Sequence, residues 1–370
     1  MGFGLGIGTR IRKSPYFDAT VAAGVTHFSV YNHMLMPVSY GDPSGEYWGL
    51  VDGVVMWDVA CQRQVELAGP DASRLAQALV CRDLSSTRPG QGKYTPMVDH
   101  AGRLLNDPLT LRVDETKWWI SLADSDMLPW CRAVAAERGL DVDVSEPDVS
   151  PLAVQGPRAE DVIAALCGEW IREIRYFWYR STEIEGIPVH VGRAGWSKQG
   201  GFELYLQDGS RGTELWDLVT EAGRPFGIGP GTPNYIERIE SALLSFRGDT
   251  LDDTDPFEAR LERFVDLDAG VDFIGRDALL DLRARGLRRQ LVGIVLDGPE
   301  LDGPQHPWPV SCGGRPMGTV RAAAHSPRLG RNIGLAIIDV PANELGTELA
   351  VDSQFGPRAA TVVDIPFIGS

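Results

Sequence analysis

Polar and apolar residues alternate at Gln64-Val65-Glu66-Leu67, the two-residue period of a half-buried strand, and strands are also read over 118–122 and 202–206. Between such runs the apolar positions space out at helical intervals. Helices are predicted over 72–79, with Asp71 as N-cap, and over 127–138, capped by Asp124, Ser125 and Asp126. Others are expected over 160–166, 211–223, 234–246 and 276–285. Strands are predicted over 94–98 and 104–113 about a turn at 99–102, and over 175–184 and 187–192 about Glu185-Gly186. The first fifty residues show little periodicity and read as extended segments and loops. From the strand at 291–296 onward, short strands separated by Gly and Pro turns read as a small β-barrel.

The strands lack the continuous Val/Ile runs of a buried parallel sheet, which favours α+β over a doubly wound fold. A strand–Gly-Pro–helix unit occurs twice, around Gly69-Pro70 and around Gly156-Pro157, and points to a pseudo-duplicated core. At 370 residues the chain exceeds one ordinary domain of ~150. The expected division is an α+β body over 1–285 and a β-barrel over 286–370.

With 35 basic and 51 acidic residues the net charge is −16, which disfavours nucleic acid and anionic membrane surfaces as partners. Cys61, Cys81, Cys131, Cys167 and Cys312 form no CxxC pair and read as reduced, mostly buried thiols. The start, Met1 to Gly8, alternates apolar residues with glycine and lacks a basic segment before an apolar core, so no signal peptide is expected and the cytoplasm is the default location. Phosphate-loop, dinucleotide, GxSxG and HExxH motifs are missing, and no metal site is expected.

Two stretches carry more than surface chemistry. Val30 to Pro37 sets an aromatic, an amide, an imidazole and thioethers side by side. Gly192 to Tyr205 is a Gly-bracketed loop bearing Trp196 and Lys198 that runs into a strand bearing Glu203. This loop resembles the signature of the folate-dependent aminomethyltransferases, the T-protein of glycine cleavage and its relatives. Met56–Val59, Leu67–Asp71, Leu105–Asp107, Val154–Pro157, Ile236–Glu240, Pro256–Glu258 and Phe273–Leu279 also resemble that family's motifs, in its order. Tyr31–Leu35, Arg63–Glu66, Trp118–Asp126 and Trp196–Gly201 are similar to its dimethylsulfoniopropionate demethylase branch.

The resemblance implies two ferredoxin-like α+β domains and a C-terminal β-barrel around a central folate channel. It implies tetrahydrofolate as cofactor, a small-molecule methyl donor as substrate, and a homodimer. The transfer would run from a sulfonium methyl to the folate nitrogen N5. Asp107 matches the acidic residue near the reacting nitrogens. Glu203 and Tyr94 match pterin contacts, Arg238 an arginine that pairs with a carboxylate, and Phe177 or Trp178 a stacking face. A dry aromatic pocket suits a sulfonium, so Trp196 and Tyr31 are expected against it by cation–π contact, with Lys198 on the donor's carboxylate. Two departures keep another N- or S-methyl donor open: Arg260 stands where the family carries a small residue then Gly, and segment 39–51 reads differently.

Overall fold

The computed structural model describes residues 8–369; the glycine-alternating start lies outside them except for Gly8. Its chain divides into two compact units, each assembled from separated segments. The first takes the chain to Ser73, Thr87–Lys93 and Leu109–Asn234; the second takes Arg74–Ser86, Tyr94–Pro108 and the chain from Tyr235.

In the first unit a six-stranded sheet runs in the order Tyr179–Ile184, Ile187–Gly192, Gly201–Leu206, Ser150–Gln155, Val55–Asp58, Gly229–Pro230. Helices Ala159–Cys167 and Gly212–Gly223 pack together, and Val162, Ile163, Leu215 and Val219 join Val154, Phe202, Leu204 and Leu206 in one core. Alternation along the strand sends Tyr205 the other way. It meets Trp119 and Leu111, which belong to a five-stranded sheet ordered Asp143–Ser145, Gln64–Ala68, Lys117–Ser121, Leu109–Arg112, Gln91–Tyr94.

In the second unit six antiparallel strands close a barrel, in the order Arg289–Leu296, Arg331–Asp339, Arg315–Ser326, Trp308–Cys312, Glu348–Ser353, Gly356–Val363. Val292, Ile294, Trp308, Val310 and Ile338 cluster in one apolar core. Leu291, Leu335 and Ile337 belong to another, with Ile239 of the helix Tyr235–Glu240. The α+β class and the closed C-terminal barrel are as the sequence predicts. The helices Ala72–Leu79 and Arg276–Arg285 match the predicted spans to the residue.

Five local predictions are corrected. The strand expected over 104–113 is two, Leu104–Asn106 and Leu109–Arg112, because Pro108 has no N–H for a ladder. The helix expected over 234–246 stops at Glu240: Ala242 turns left-handed (φ 51°), and Asp249 takes the Ser245 N–H at 2.8 Å. The strand expected from 175 begins at Tyr179, after Phe177 at φ 60°. The first fifty residues are not mainly loop. They hold a helix Phe17–Ala22, a hairpin His27–Tyr31 with Met34–Ser39, and a helix Pro43–Asp52. Asp42 caps that last helix through the Gly45 N–H, and Pro43 opens it, a start signal that needs no periodicity. The helix Leu128–Glu137 likewise follows Met127 rather than an acidic cap, although Asp126 accepts the Leu128 N–H at 3.2 Å.

Candidate functional site

Glu203 sits mid-strand in the first unit, opposite Ala153 on one side and Gly192 on the other. Its carboxylate is 5% exposed and accepts a 2.9 Å hydrogen bond from the Tyr205 hydroxyl. Burial pushes its pKa up to about 7, against the opposing pull of that bond. Tyr205 packs with Tyr179, Trp119 and Phe177. Tyr179 meets it edge-on at 5.5 Å. Phe177 is held in its left-handed conformation by backbone bonds to Arg193 and Gly92, and its ring lies 4.1 Å from Tyr176. Of the two expected stacking residues, only Phe177 joins this cluster. Trp178 packs instead, with Tyr31, against the helix-covered core.

The loop 195–200 follows from strand Ile187–Gly192 and feeds Gly201–Leu206. Within it Trp196 is half-buried and Lys198 is exposed. Tyr31 ends one arm of the hairpin whose turn, Asn32-His33, is left-handed at both residues (φ 47° and 62°). The buried Asn32 side chain donates to the carbonyls of Cys61 and Ala123, at 3.1 and 2.8 Å, and fixes the turn.

In the second unit Asp107 follows the strand Leu104–Asn106 and is 9% exposed. The Tyr94 hydroxyl donates to its Oδ2 at 2.7 Å, while Oδ1 accepts nothing from the described residues. Burial pushes the Asp107 pKa up to about 7, the Tyr94 bond opposes the rise, and the Asp249 charge adds to it. Tyr94 is braced edge-on by Phe264 at 4.8 Å, and Arg82 and Arg263 lie over the Phe264 ring.

Arg238 has a carboxylate partner within the protein. Its guanidinium already pairs with Asp249 at 2.7 Å, and both side chains are buried, at 4% and 0% exposure. It also lies 5.0 Å over the Tyr235 ring. One arm is thus committed within the protein, whatever the others reach. Arg260 adopts φ 58°, the conformation the family's glycine would take without strain, and turns its charge toward Asp364 at 3.3 Å.

Tyr94 and Asp107 are therefore expected residues in direct contact, while Phe177 packs on the aromatic cluster that contains Tyr205, the partner of Glu203. Tyr205 and Gln155 fall within stretches the sequence marks and Asp249 does not, but the role of each shows only in its partner. In the first unit the buried Glu203 carboxylate, whose proton affinity sits near neutrality, suits a ligand that offers N–H donors. The pterin edge of tetrahydrofolate has that character, so this acceptor fits the cofactor. Among the described residues no cluster could hold a metal ion, and no helix is long and apolar enough to cross a membrane.

Residues 16–269 match the GCVT N-terminal domain, and residues 289–368 match the glycine cleavage T-protein C-terminal barrel domain. The chain is 41% identical over 353 residues to dimethylsulfoniopropionate demethylase DmdA of Ruegeria pomeroyi, covering 95% of this chain and 96% of that protein. It is 30% identical to the aminomethyltransferase of Caldanaerobacter subterraneus over 90% of this chain and 89% of the relative. The fold matches the glycine cleavage system aminomethyltransferase T from Bartonella henselae with a TM-score of 0.86 at 20% identity, covering 97% and 98% of the two chains. The chain belongs to the glycine cleavage T-protein (aminomethyltransferase) family, with that family's N-terminal domain and C-terminal barrel in order.

Proposed function

We propose that this protein is a tetrahydrofolate-dependent demethylase that moves a methyl group from dimethylsulfoniopropionate to N5 of tetrahydrofolate, leaving methylthiopropionate and 5-methyltetrahydrofolate. The observation that carries the reading is the near-full-length identity to a demethylase of that name. When bound, tetrahydrofolate supplies the accepting nitrogen.

The residues of this chain have three tasks. Glu203, steadied by Tyr205, receives N–H donors of the pterin edge, and Phe177 offers a ring beside it. Asp107 presents one oxygen fixed by Tyr94 and one open. With a pKa near 7 it can take up a proton at Oδ1 and release it again at physiological pH. Trp196 and Tyr31 give the sulfonium an aromatic wall, worth roughly 0.5–2 kcal/mol by cation–π contact, and Lys198 takes its carboxylate. Because a sulfonium methyl is already activated, holding donor and acceptor in line is the main work, worth up to ~7–11 kcal/mol in ideal cases.

A second reading keeps the fold and the folate and changes the donor to another N- or S-methyl compound; Arg260 in its left-handed conformation is the feature that favours it. Incubation with tetrahydrofolate and a panel of methylated sulfonium and ammonium compounds separates the two. The leading reading expects 5-methyltetrahydrofolate with dimethylsulfoniopropionate, and product only with another donor would replace it with the second. The family likeness also supports a cytoplasmic homodimer without nucleic acid, and a chain division at 285/286 just before the barrel's first strand, Arg289–Leu296. Sizing chromatography tests the dimer.

A further inference from the structure

The carboxamide of Gln155 reaches three parts of the Trp196 loop at once. Gln155 ends the strand Ser150–Gln155 and is wholly buried. Its Nε2 donates to the Ala194 carbonyl at 3.1 Å and to the Phe202 carbonyl at 3.4 Å, one at each stem of the loop. Its Oε1 accepts the Ser197 hydroxyl at 2.9 Å, between Trp196 and Lys198. Ser197 Oγ in turn accepts the Gln199 N–H at 3.4 Å. The stems close tightly around the amide: a Cβ at Gly195 or at Gly201 would overlap the Gln155 side chain.

Only a primary amide meets this demand. Two carbonyls need a donor and a hydroxyl needs an acceptor, and one planar group supplies both. An ionised Glu would set a charge against two carbonyl oxygens. A Leu of similar size would leave buried polar groups without partners. The backbone adds a further tie in the same place, the Gly156 N–H to the Gly200 carbonyl at 2.9 Å.

We propose that Gln155 is a positioning residue for methyl-donor binding: it locks the loop 195–201 in one conformation, so that Trp196 and Lys198 meet the donor preorganised rather than ordering upon it. The lock is read from this geometry alone; its consequence for the donor rests on the demethylase reading above.

Gln155→Leu, Gln155→Glu and Ser197→Ala are compared with the parent protein in two measurements. The first is amide hydrogen exchange of peptides covering 195–201. Gln155→Leu is expected to speed exchange there about tenfold, and Ser197→Ala about threefold, with the central strands unchanged. The second is steady-state kinetics. The KM for dimethylsulfoniopropionate is expected to rise about tenfold in Gln155→Leu and Gln155→Glu, while the KM for tetrahydrofolate moves less than about twofold. Unchanged exchange in the folded variants overturns the lock. Faster exchange with an unchanged donor KM overturns the positioning role and leaves the demethylase reading standing. A parent protein that demethylates no sulfonium sinks that reading instead, and the exchange data still decide whether the lock exists. Should the Gln155 variants fail to fold, Ser197→Ala, altered only in the loop itself, decides the matter: faster exchange supports the lock and unchanged exchange overturns it.

Discussion

Tyr94 and Asp107 share one hydrogen bond, 2.7 Å from the phenol to Oδ2, and it leaves Oδ1 of a buried carboxylate open. The phenol therefore sets both the orientation of Asp107 and part of its acidity. Asp107→Asn is expected to lower kcat by ~100-fold or more, the usual range for a lost acid–base group, with a smaller effect on the KM for tetrahydrofolate. Tyr94→Phe removes the bond that holds the Asp107 pKa down. The acidic limb of its kcat/KM profile, expected near pH 7 in the parent, should move to higher pH. A limb that stays put in Tyr94→Phe would remove Asp107 from the titration.

Asp107 and Glu203 are both pushed up to about 7 by burial, from ordinary values of 3.8 and 4.5. Between about pH 4 and pH 7 the folded state thus binds more protons than the unfolded chain, so stability falls as pH rises across that window and levels off above it. At about 1.4 kcal/mol per tenfold change in proton affinity, each group costs roughly 3–5 kcal/mol at pH 8. Glu203→Gln should melt close to the parent at pH 4 and several degrees above it at pH 8. Thermal unfolding of the ligand-free proteins across pH 4–8 checks the sign.

Replacing Trp196 with Leu should weaken binding of the cationic donor by roughly 2–30-fold, the range equivalent to ~0.5–2 kcal/mol of cation–π contact. Trp196→Phe should retain part of that affinity. A neutral thioether analogue should bind both variants nearly as well as it binds the parent. Isothermal titration with both ligands makes the comparison, and equal losses for the two would show packing rather than charge.

Arg238 and Asp249 form a buried pair. Arg238→Met strands a carboxylate in the interior and should cost about 3–5 kcal/mol in urea unfolding. Adding Asp249→Leu should recover most of it. Retained stability in the single variant would argue against the pair as a structural element.

The body and tail were legible because each obeys a local rule. Helix Arg276–Arg285 lies between Gly275 and Gly286, both with positive φ, and could be bounded from its residues alone. Helix Tyr235–Glu240 could not, since what ends the helical path is a set of contacts with Asp249, well beyond its last turn. The break at Asp107-Pro108 was written in the proline, yet the apolar residues on both sides of it, Leu104-Leu105 and the alternating 109–113, outweighed it. At the site, Glu203 and Asp107 were found by their place in motifs. Gln155 also lies in one, Val154–Pro157, yet its part shows only in the loop that folds over it. Arg238 was expected to pair with a carboxylate, but the sequence cannot show that Asp249, eleven residues on, is one that it reaches.

The two kinds of sheet also differ in how they meet other chains. The closed barrel offers no free strand edge to an unfolded neighbour. The six-stranded sheet has two edges, and each is blunted by different means. One end is Gly229–Pro230, only two residues long and ending in a residue that cannot donate a ladder hydrogen bond. The other, Tyr179–Ile184, exposes Arg180 and Glu183, charges that a fibril-forming partner would have to strip of water. Protection against edge-to-edge aggregation is thus written into the two outermost strands of the sheet.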